Sequence, residues 1–411
     1  MSRIIVRNVR PWGGAVSDIH VDDGTIVAVE PTSVADAVAG AGAGAGTGAS
    51  VDPYGRGEVV DGRGLLAIPS FVNAHAHLDK TWWGKPWVPY GGEPGTQGRI
   101  AHERAHRAEV GIPGPDSTAA QVREFVRTGT TAFRSHVDVD LGIGLDGIQV
   151  VREAVAAVDP GLTLMVVAFP QDGVLRRPGV LDLLDRAATA GADLVGGLDP
   201  ASIDRDPVGQ LDALFDLADR RGVGLDIHLH DSGELGAFEF ELIVERTKAT
   251  GMSGRVTIAH GFALGDVPPA RQRDLVEQLA GAGVSLTTVA PITAPPLPLD
   301  QLRTAGVPVG LGTDGIRDLW GPFGDGDMLR LAGTLARLAG WRYDEDLRAA
   351  VEIATSAGAG FVGRAVHDLR PGAPADIVLL DAENLADAVT RAPARDTVLV
   401  GGRVVVGPGA R

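Results

Sequence analysis

Short apolar runs alternate with longer amphipathic segments through the middle of the chain, from about residue 66 to residue 366. A short apolar run bounded by turn residues is typical of a buried strand, and apolar residues recurring every three or four positions are typical of a helix. Strands are predicted at 66–72, 130–137, 162–169, 193–198, 223–229, 255–260, 284–289 and 307–313. Helices are predicted between them, for example at 180–190, 211–221, 235–250 and 272–282. Eight strands in about 300 residues predict an α/β fold, a (β/α)8 TIM-type barrel.

The two ends of the chain have a different pattern, in which short strands follow one another without helices. Strands are predicted around 4–6, 19–21, 26–29, 375–380, 397–400 and 403–406. Turns at Asp23-Gly24 and Gly401-Gly402 indicate hairpins. We predict that residues 1–65 and 367–411 together form one small β-sandwich, with the barrel of residues 66–366 inserted between them. The Gly/Ala-rich segment 35–50 is predicted to be a loop.

Composition and charge narrow the class of protein. The chain has 411 residues, of which 44% are hydrophobic and 22% charged, as in globular proteins with a buried core. A net charge of −16 without basic blocks argues against a nucleic-acid partner. No apolar run approaches the roughly 18 residues that a membrane span needs, and the first residues lack the apolar centre of a secretory signal. We therefore predict a cytoplasmic protein without a membrane partner.

Cysteine and lysine are scarce in this chain. Since there is no cysteine, disulfides, a thiolate nucleophile and a cysteine-bound metal are excluded. Any metal ion has to be bound by His, Asp or Glu. The lysines are Lys80, Lys85 and Lys248, and this distribution limits the kinds of metal site that are possible.

Metal-ligating types of side chain follow four of the predicted strands. His75 and His77 follow the first strand, His228 lies in the fifth, His260 ends the sixth, and Asp314 follows the eighth. Residues two apart in an extended chain point to the same side, so His75 and His77 can converge on one ion. In a (β/α)8 barrel the C-terminal ends of the strands face one mouth, where active sites lie. The coincidence at four strand ends therefore predicts a metal site.

These residues resemble the amidohydrolase superfamily, and within it the branch of cytosine deaminases and N-isopropylammelide isopropylaminohydrolases. The resemblance covers nearly the whole chain, in the segments FVNAHAHLDKT, GTTAFRSHVDVD, VVAFPQDGVL, LDIHLHDSGE, VTIAHG, GTDGIRDLWGPFG and PGAPADIVLLD. It implies that His75, His77, His228 and Asp314 bind a divalent metal. It also implies that His260 contacts the attacking water or the reacting group, and that Asp314 accepts a hydrogen bond from that water.

The scarcity of lysine favours one metal ion over two. Members of the superfamily with two metals bridge them with a carboxylated lysine, or a Glu, at the end of the fourth strand. The chain has no lysine from residue 86 to residue 247, and its fourth strand at 193–198 ends without a Glu. We therefore expect a single divalent ion, Zn²⁺ or Fe²⁺, because three imidazoles and one carboxylate suit both.

The resemblance also indicates a position for the residue that moves the proton. In cytosine deaminases a Glu three residues after the strand-five histidine takes a proton from water and returns it to the leaving nitrogen. Counting from His228, that position is Asp231, which is one methylene shorter. We expect Asp231 to be catalytic, with Glu234 as the alternative. Asp231 could instead cap the helix that begins near Gly233.

Three polar residues are candidates for contact with the substrate. Gln171 resembles the glutamine with which cytosine deaminases bind the ring edge, because an amide offers both a donor and an acceptor. Lys80 follows the HAHLD motif and could bind an anionic oxygen of the substrate, although an exposed lysine is the ordinary alternative. His230 alternates to the same side as His228 and could contact the substrate or a metal ligand.

Aromatic residues and one arginine complete the predicted substrate site. The segment 78–115 is long enough to form a lid, and its Trp83 could form a wall over a flat ring, with Trp320 as the facing wall. Alternatively, these aromatics only pack the lid. Cytosine deaminases have a second acidic residue directly after the metal-binding Asp, where this chain has Gly315; Arg317 therefore hints at a substrate with an oxo or acidic group. We expect His136 to lie behind the metal ligands.

Together these features predict a metal-dependent hydrolase of carbon–nitrogen bonds. We expect a mononuclear hydrolytic deaminase, or an amine-releasing hydrolase, that acts on a small nitrogen heterocycle. A hydrolase of a cyclic amide is the alternative among enzymes, and a non-catalytic metal-binding barrel is the alternative outside them. The expected partner is a small heterocyclic substrate, and the chain could also form a homo-oligomer.

Overall fold

The computed structural model describes residues 3–32, 50–51, 58–408 and 410. The predicted Gly/Ala loop lies outside the described residues, except for Ser50. In chain order the strands are β1 (Arg3–Pro11), β2 (Ser17–Asp22), β3 (Thr25–Pro31), β4 (Ser50–Val51), β5 (Glu58–Asp61), β6 (Leu66–Pro69), β7 (Phe71–Ala76), β8 (Thr130–Asp138), β9 (Thr163–Phe169), β10 (Leu194–Leu198), β11 (Gly224–Leu229), β12 (Val256–His260), β13 (Ser285–Thr288), β14 (Val309–Leu311), β15 (Ile377–Leu380), β16 (Arg395–Val400) and β17 (Arg403–Val406).

The helices lie mostly between the barrel strands. They are α1 (Gly95–Val110), α2 (Pro115–Arg127), α3 (Asp146–Val158), α4 (Val180–Thr189), α5 (Pro207–Arg221), α6 (Gly233–Ala249), α7 (Ala263–Asp266), α8 (Pro269–Ala282), α9 (Leu299–Ala305), α10 (Met328–Leu338), α11 (Asp344–Ile353) and α12 (Leu385–Arg391). A π-helical turn at Pro200–Asp204 follows β10, and a 3₁₀ segment at Ser356–Val362 follows α11.

Strands β7 to β14 form an eight-stranded parallel sheet in sequence order. The first and last strands meet, because Ala76 and Asp314 form a parallel bridge and the Asp314 N–H donates to the His75 carbonyl at 3.0 Å. The sheet is therefore a barrel, as predicted. Each predicted strand from 130–137 onward agrees with an observed strand to within about two residues, the usual uncertainty of an element boundary.

The helices present apolar stripes to this barrel. Helix α10 buries residues three and four positions apart, namely Met328, Leu329, Ala332, Leu335 and Ala336. Asp327 caps its N-terminus, since its carboxylate accepts hydrogen bonds from the N–H groups of Leu329 and Arg330. Helix α5 ends at Gly222, whose φ of 70° is the left-handed conformation that favours glycine.

Both chain termini contribute to the second sheet, which confirms the predicted composite β domain. Its strand order is β17-β16-β15-β6-β1-β2-β3, with β5 also paired to β1 and β4 paired to β5. Apolar residues of both ends, including Val6, Ile19, Ile377 and Leu399, are fully buried in one cluster. The early and late parts of the chain therefore share one core.

The predicted first barrel strand, 66–72, is two strands in the structure. β6 pairs with β1 and β15 in the small sheet, whereas β7 begins the barrel after the buried Ser70. Residues on both sides of Ser70 are fully buried, so hydrophobicity alone could not show where the chain changes sheets. The division at residues 1–65, 66–366 and 367–411 stays a prediction, and the pairing of β6 favours a boundary a few residues later.

None of the helices in the described ranges is both long enough and apolar enough to cross a membrane.

Candidate active site

The predicted metal ligands converge at the C-terminal end of the barrel. His77 Nε2 lies 3.3 Å from His228 Nε2 and 3.3 Å from Asp314 Oδ1, and His75 Nε2 lies 3.6 Å from the same oxygen. His75 lies in β7 and His77 directly follows it, His228 lies in β11, and Asp314 stands three residues after the end of β14. Because these strands pair within one closed barrel, their register fixes the spacing of the four side chains.

The donor atoms of this cluster fit a divalent metal ion. Two overlapping groups have ligand-type atoms within 4.8 Å of one another: His75, His77, His136 and His228 form one, and His75, His260 and Asp314 form the other. Burial lowers the pKa of His77, His228 and His260 well below the usual value, so their rings are neutral and offer lone pairs. Buried nitrogens of all three, and of His75, have no hydrogen-bond partner among the described residues. Neutral imidazole and carboxylate are the ligands that Zn²⁺ and Fe²⁺ accept.

Asp314 supplies the negative charge of the cluster. Its side chain keeps 40% of its surface exposed because it faces the cavity. Loss of hydration raises its pKa, but the contacts with His75 and His77 outweigh this and hold the pKa well below its usual value. His260 and Asp314 both have left-handed backbone, with φ of 66° and 61°. Such strain, about 1–3 kcal/mol per residue, concentrates at functional sites.

Behind the ligands lies a buried group that the sequence analysis named only in part. The His136 ring centroid is 4.1 Å from that of His75, and His136 Nε2 is 3.3 Å from Asp226 Oδ1. Arg134 donates to the other oxygen of Asp226 at 2.8 Å. Burial raises the pKa of Asp226, but the contacts with His136 and Arg134 have the larger, opposite effect and bring the pKa down to about 2. Arg134 and Asp226 each stand two residues before a site histidine, and this alternation was the signal that could have found them.

His230 lies beside the cluster and is held by a second carboxylate. Its Nδ1 is 2.9 Å from Asp199 Oδ2, and its backbone N–H donates to Asp199 Oδ1 at 2.6 Å. Its ring centroid lies 4.3 Å from that of His260. Burial lowers the pKa of His230, but the charge of Asp199 and the hydrogen bond to it raise the pKa above the usual value. Asp199 directly follows β10, and a carboxylate at this strand end was the sequence signal for it, although the family pattern there is Lys or Glu.

The structure does not bring Asp231 or Glu234 to the cluster. The Asp231 carboxylate accepts a hydrogen bond from the Ser202 N–H at 3.2 Å and faces Glu239. Burial, reinforced by the charge of Asp231, raises the pKa of Glu239 to about 9, so this carboxyl is protonated at neutral pH. The Glu234 side chain is 72% exposed and lies 3.6 Å from Arg271. The role of Asp231 as proton shuttle stays a prediction.

A cavity of about 510 Å³ opens above the histidines. Its wall includes His77, Lys80, Phe169, Gln171, Leu198, His228, His230, His260, Val289, Pro291, Ile292, Thr293, Asp314, Gly315, Asp318, Trp320, Gly321 and Phe323. The wall is mostly apolar and has a few polar groups near its base, as in sites for small molecules. The predicted substrate residues Gln171, Lys80, His230 and Trp320 are all part of it.

Lys80 is buried rather than exposed. Its Nζ lies 3.0 Å from Asp138 Oδ1 and 3.6 Å from Glu103 Oε2, and it also contacts Gln171 Oε1. Burial lowers the pKa of Lys80, but the carboxylates of Asp138 and Glu103 raise it more, so the ammonium stays charged. Glu103 belongs to α1 and accepts a hydrogen bond from Trp320 Nε1. The charged group therefore ties the predicted lid to the cavity wall.

Trp83 and Arg317 do not line the cavity. The Arg317 guanidinium lies over the rings of Trp82 and Trp83, at 4.4 and 5.4 Å from their centroids, and the Trp82 N–H donates to the Arg317 carbonyl. The Arg317 cation is thus bound by aromatic rings of the protein itself, through cation–π contacts. Their predicted contact with substrate therefore receives no support from the geometry.

Comparison with known proteins agrees with this site. A model of the amidohydrolase family matches residues 115–406. The N-isopropylammelide isopropyl amidohydrolase of Pseudomonas sp. (strain ADP) is 30% identical over 358 residues, which are 84% of this chain and 87% of that protein. The crystal structure of N-isopropylammelide isopropylaminohydrolase from Burkholderia multivorans is 39% identical, with a TM-score of 0.90 over 100% of both chains. That of 5-methylcytosine deaminase from Klebsiella pneumoniae is 25% identical, with a TM-score of 0.80 over 100% of this chain and 99% of that one.

The family match covers well over half of the chain, and the relatives cover nearly all of it. They belong to the branch that the HAHLD motif and the other quoted segments indicated. Members of this family hydrolyse carbon–nitrogen bonds other than peptide bonds and use a divalent metal. The chain therefore belongs to the amidohydrolase family, in the branch of the cytosine deaminases and N-isopropylammelide isopropylaminohydrolases.

Proposed function

We propose that this protein releases ammonia or an alkylamine from a small nitrogen heterocycle by hydrolysis, with one Zn²⁺ or Fe²⁺ bound by His75, His77, His228 and Asp314. The observation that carries the proposal is the convergence of these imidazoles and one carboxylate at the base of a ring-sized cavity. The relatives support the substrate class, because their names describe the removal of an amine or amino group from a triazine or a pyrimidine.

A metal ion held by His75, His77, His228 and Asp314 would supply the chemistry that activates water. When bound, such an ion lowers the pKa of water toward about 7 and so makes hydroxide available at neutral pH. The proposal of one ion is supported at the end of β10, where Asp199 is engaged by His230 and no lysine stands. A bridging residue between two metals would have to come from that position.

We propose that His230, rather than Asp231, moves the proton from the attacking water to the leaving nitrogen. Its ring lines the cavity next to His260, whereas Asp231 is engaged with the Ser202 N–H. Asp199 bonds the Nδ1 side of the ring, which leaves Nε2 free for proton exchange. A carboxylate that orients an imidazole and stabilises its charged form is the arrangement that general acid–base catalysis requires. His260 and Asp314, which also line the cavity, would orient the attacking water.

We further propose that Gln171, Lys80 and Trp320 bind the ring. Trp320 offers an aromatic face to a flat heterocycle. The Gln171 amide can donate to one ring atom and accept from the next. Because Lys80 is held by carboxylates and by Gln171, it fixes the amide and adds a positive charge to that part of the wall.

The proposal is tested by assay of the purified protein with a panel of pyrimidines, triazines and pterins, in which both amine release and the product are measured. We expect ammonia or an alkylamine together with a ring-intact oxo product. Ring-opened acids without amine release would instead support the hydrolysis of a cyclic amide. No turnover of any member by metal-loaded protein would favour a non-catalytic barrel.

A further inference from the structure

The loop that follows Asp314 is organised around the carboxylate of Asp318. Asp318 is only 5% exposed, yet it lines the cavity together with Gly315 and Trp320. Its Oδ1 accepts hydrogen bonds from the N–H groups of Trp320 and Gly321, both at 2.8 Å. Its own N–H donates to the Gly321 carbonyl at 3.1 Å. Three hydrogen bonds therefore fix the position of this carboxylate before any ligand arrives.

The second oxygen of the same carboxylate is available to a ligand. Oδ2 accepts no hydrogen bond from any residue in the described ranges, and it is not one of the fully buried atoms that lack a partner, so it reaches the cavity that Asp318 lines. An acceptor that is held in place at a cavity wall can receive a hydrogen bond from a donor of the ligand. Burial also raises the pKa of Asp318 to about 7, as does the nearby charge of Glu103.

Gly315 makes room for this oxygen. A Cβ placed on Gly315 would lie 1.7 Å from Asp318 Oδ2, far inside the sum of the atomic radii. Gly315 is not among the glycines with positive φ, so backbone conformation does not require glycine here. The oxygen thus fills the space into which a side chain at position 315 would project. An acidic group directly after Asp314 is absent from the sequence, and the fold supplies one from three residues further on.

We propose that Asp318 is a specificity-determining residue whose Oδ2 accepts a hydrogen bond from a ring N–H or an amino group of the substrate. This inference rests on the proposed function and adds a requirement for a hydrogen-bond donor on the ring edge that faces the loop. Heterocycles that carry an N-alkyl group at that place are rejected, because they offer no donor to this oxygen, shield it from water and bring a carbon atom against it.

The test compares Asp318→Asn with the wild-type holoenzyme, using N-isopropylammelide, cytosine and the ring-N-methylated form of each. Binding is measured by calorimetry and turnover by amine release. The amide keeps the backbone hydrogen bonds of Oδ1 but replaces the free oxygen with a donor. We expect affinity for the N–H compounds to fall about 10- to 100-fold, with metal content unchanged. The preference over the methylated compounds should disappear.

A second pair of variants separates this effect from a folding defect. Gly315→Ala should reduce binding about as much as Asp318→Asn, because the new methyl displaces Oδ2. In an Asp318→Gly background, Gly315→Ala should have no further effect, and Gly315→Asp should restore part of the lost affinity. Equal losses from Gly315→Ala in both backgrounds, or wild-type affinity and preference in Asp318→Asn, would overturn the inference.

The outcomes also distinguish this inference from the proposed function. Binding that depends on Asp318 without turnover would support the inference and contradict the proposed reaction. Turnover that is the same in Asp318→Asn and in the wild type would support the proposed reaction and contradict the inference. If the wild-type protein binds none of the N–H compounds, the inference is overturned.

Discussion

The two ends of the cavity are built in different ways. The inner end consists of four histidines in, or directly after, barrel strands β7, β11 and β12, with adjacent ring centroids about 5 Å apart: His75, His77, His228 and His260. The outer end consists of residues from loops, including Ile292 and Phe323, which are 80% and 82% exposed. Strand pairing fixes the first group, whereas side-chain contacts and hydrogen bonds between loops, such as that of Trp320 Nε1 with Glu103, hold the second.

We infer from this contrast that the inner end carries out the reaction and that the outer end selects the substrate. A metal site needs ligand positions that do not move, and a closed barrel supplies them. Recognition of a particular ring depends on the shape and polarity of the loops, which can change without disturbing the barrel. We therefore expect inner-end substitutions to abolish activity, and outer-end substitutions to change which compound is used.

The largest effect is expected from His77→Ala. Removal of this ligand should reduce bound metal from about one ion per chain to a small fraction, and turnover by about 10³-fold or more. Elemental analysis and amine release measure the two quantities. His106→Ala is the matched control, since His106 is an exposed histidine of α1. Full metal content in His77→Ala would contradict the assigned ligand set.

Loss of His230 should abolish proton transfer while leaving the metal in place. His230→Asn is expected to reduce kcat by about 10²- to 10⁴-fold. Asp199→Asn should also reduce kcat and shift the pH profile, because it removes the charge that raises the pKa of His230. The competing hypothesis is tested with Asp231→Asn. If that variant loses turnover and His230→Asn does not, Asp231 is the shuttle, as the comparison with cytosine deaminases first indicated.

Lys80 joins the two ends of the cavity, so its replacement should affect both stability and binding. Lys80→Met leaves Asp138 and Glu103 buried without their cation, and a loss of about 3–5 kcal/mol in the free energy of unfolding is expected. Lys85→Met is the control, since the Lys85 ammonium donates to the carbonyls of Val110 and Gly111 near the surface and forms no ion pair with the described residues. Denaturant titration checks both. Equal stability of the two variants would show that the buried charges are not coupled.

The smallest effect concerns Glu239, which lies outside the cavity beside Asp231. Its pKa is raised to about 9 in the folded protein, so the folded state keeps a proton that the unfolded chain releases above its ordinary pKa of about 4.5. Stability linked to Glu239 is therefore present in acid and is lost as the pH rises toward 9. Glu239→Gln cannot ionise, and it should raise Tm at pH 8 by a few degrees. Thermal unfolding at pH 5 and pH 8 measures this, and the gain should be absent at pH 5.

The inner end was predictable from the sequence because strands impose a simple rule on their side chains. His75 and His77 stand two apart, and His228 and Asp314 follow or end apolar runs whose carboxyl ends must meet in a barrel. The composite β domain followed from strand patterns at both termini. The change of sheet at Ser70 was not visible, because the residues on both sides are equally buried.

The positions of the residues beyond the strand ends could not be derived in this way, since irregular backbone places their side chains. Asp199 has a φ of 32° and is followed by a π-helical turn, so strand alternation does not describe where its carboxylate points. Asp318 returns to the space beside Gly315 through a tight loop. Asp231 stands at the expected spacing, yet the turn after β10 supplies it with a backbone donor, and it is not among the residues that line the cavity.

The most direct test of the central claim is a metal titration of the metal-free protein with Zn²⁺ or Fe²⁺, followed by amine release with an active heterocycle. A single site formed by His75, His77, His228 and Asp314 predicts that bound metal and activity rise together and stop at one equivalent per chain. Activity that requires two equivalents, or a second ion held as tightly as the first, would contradict the account.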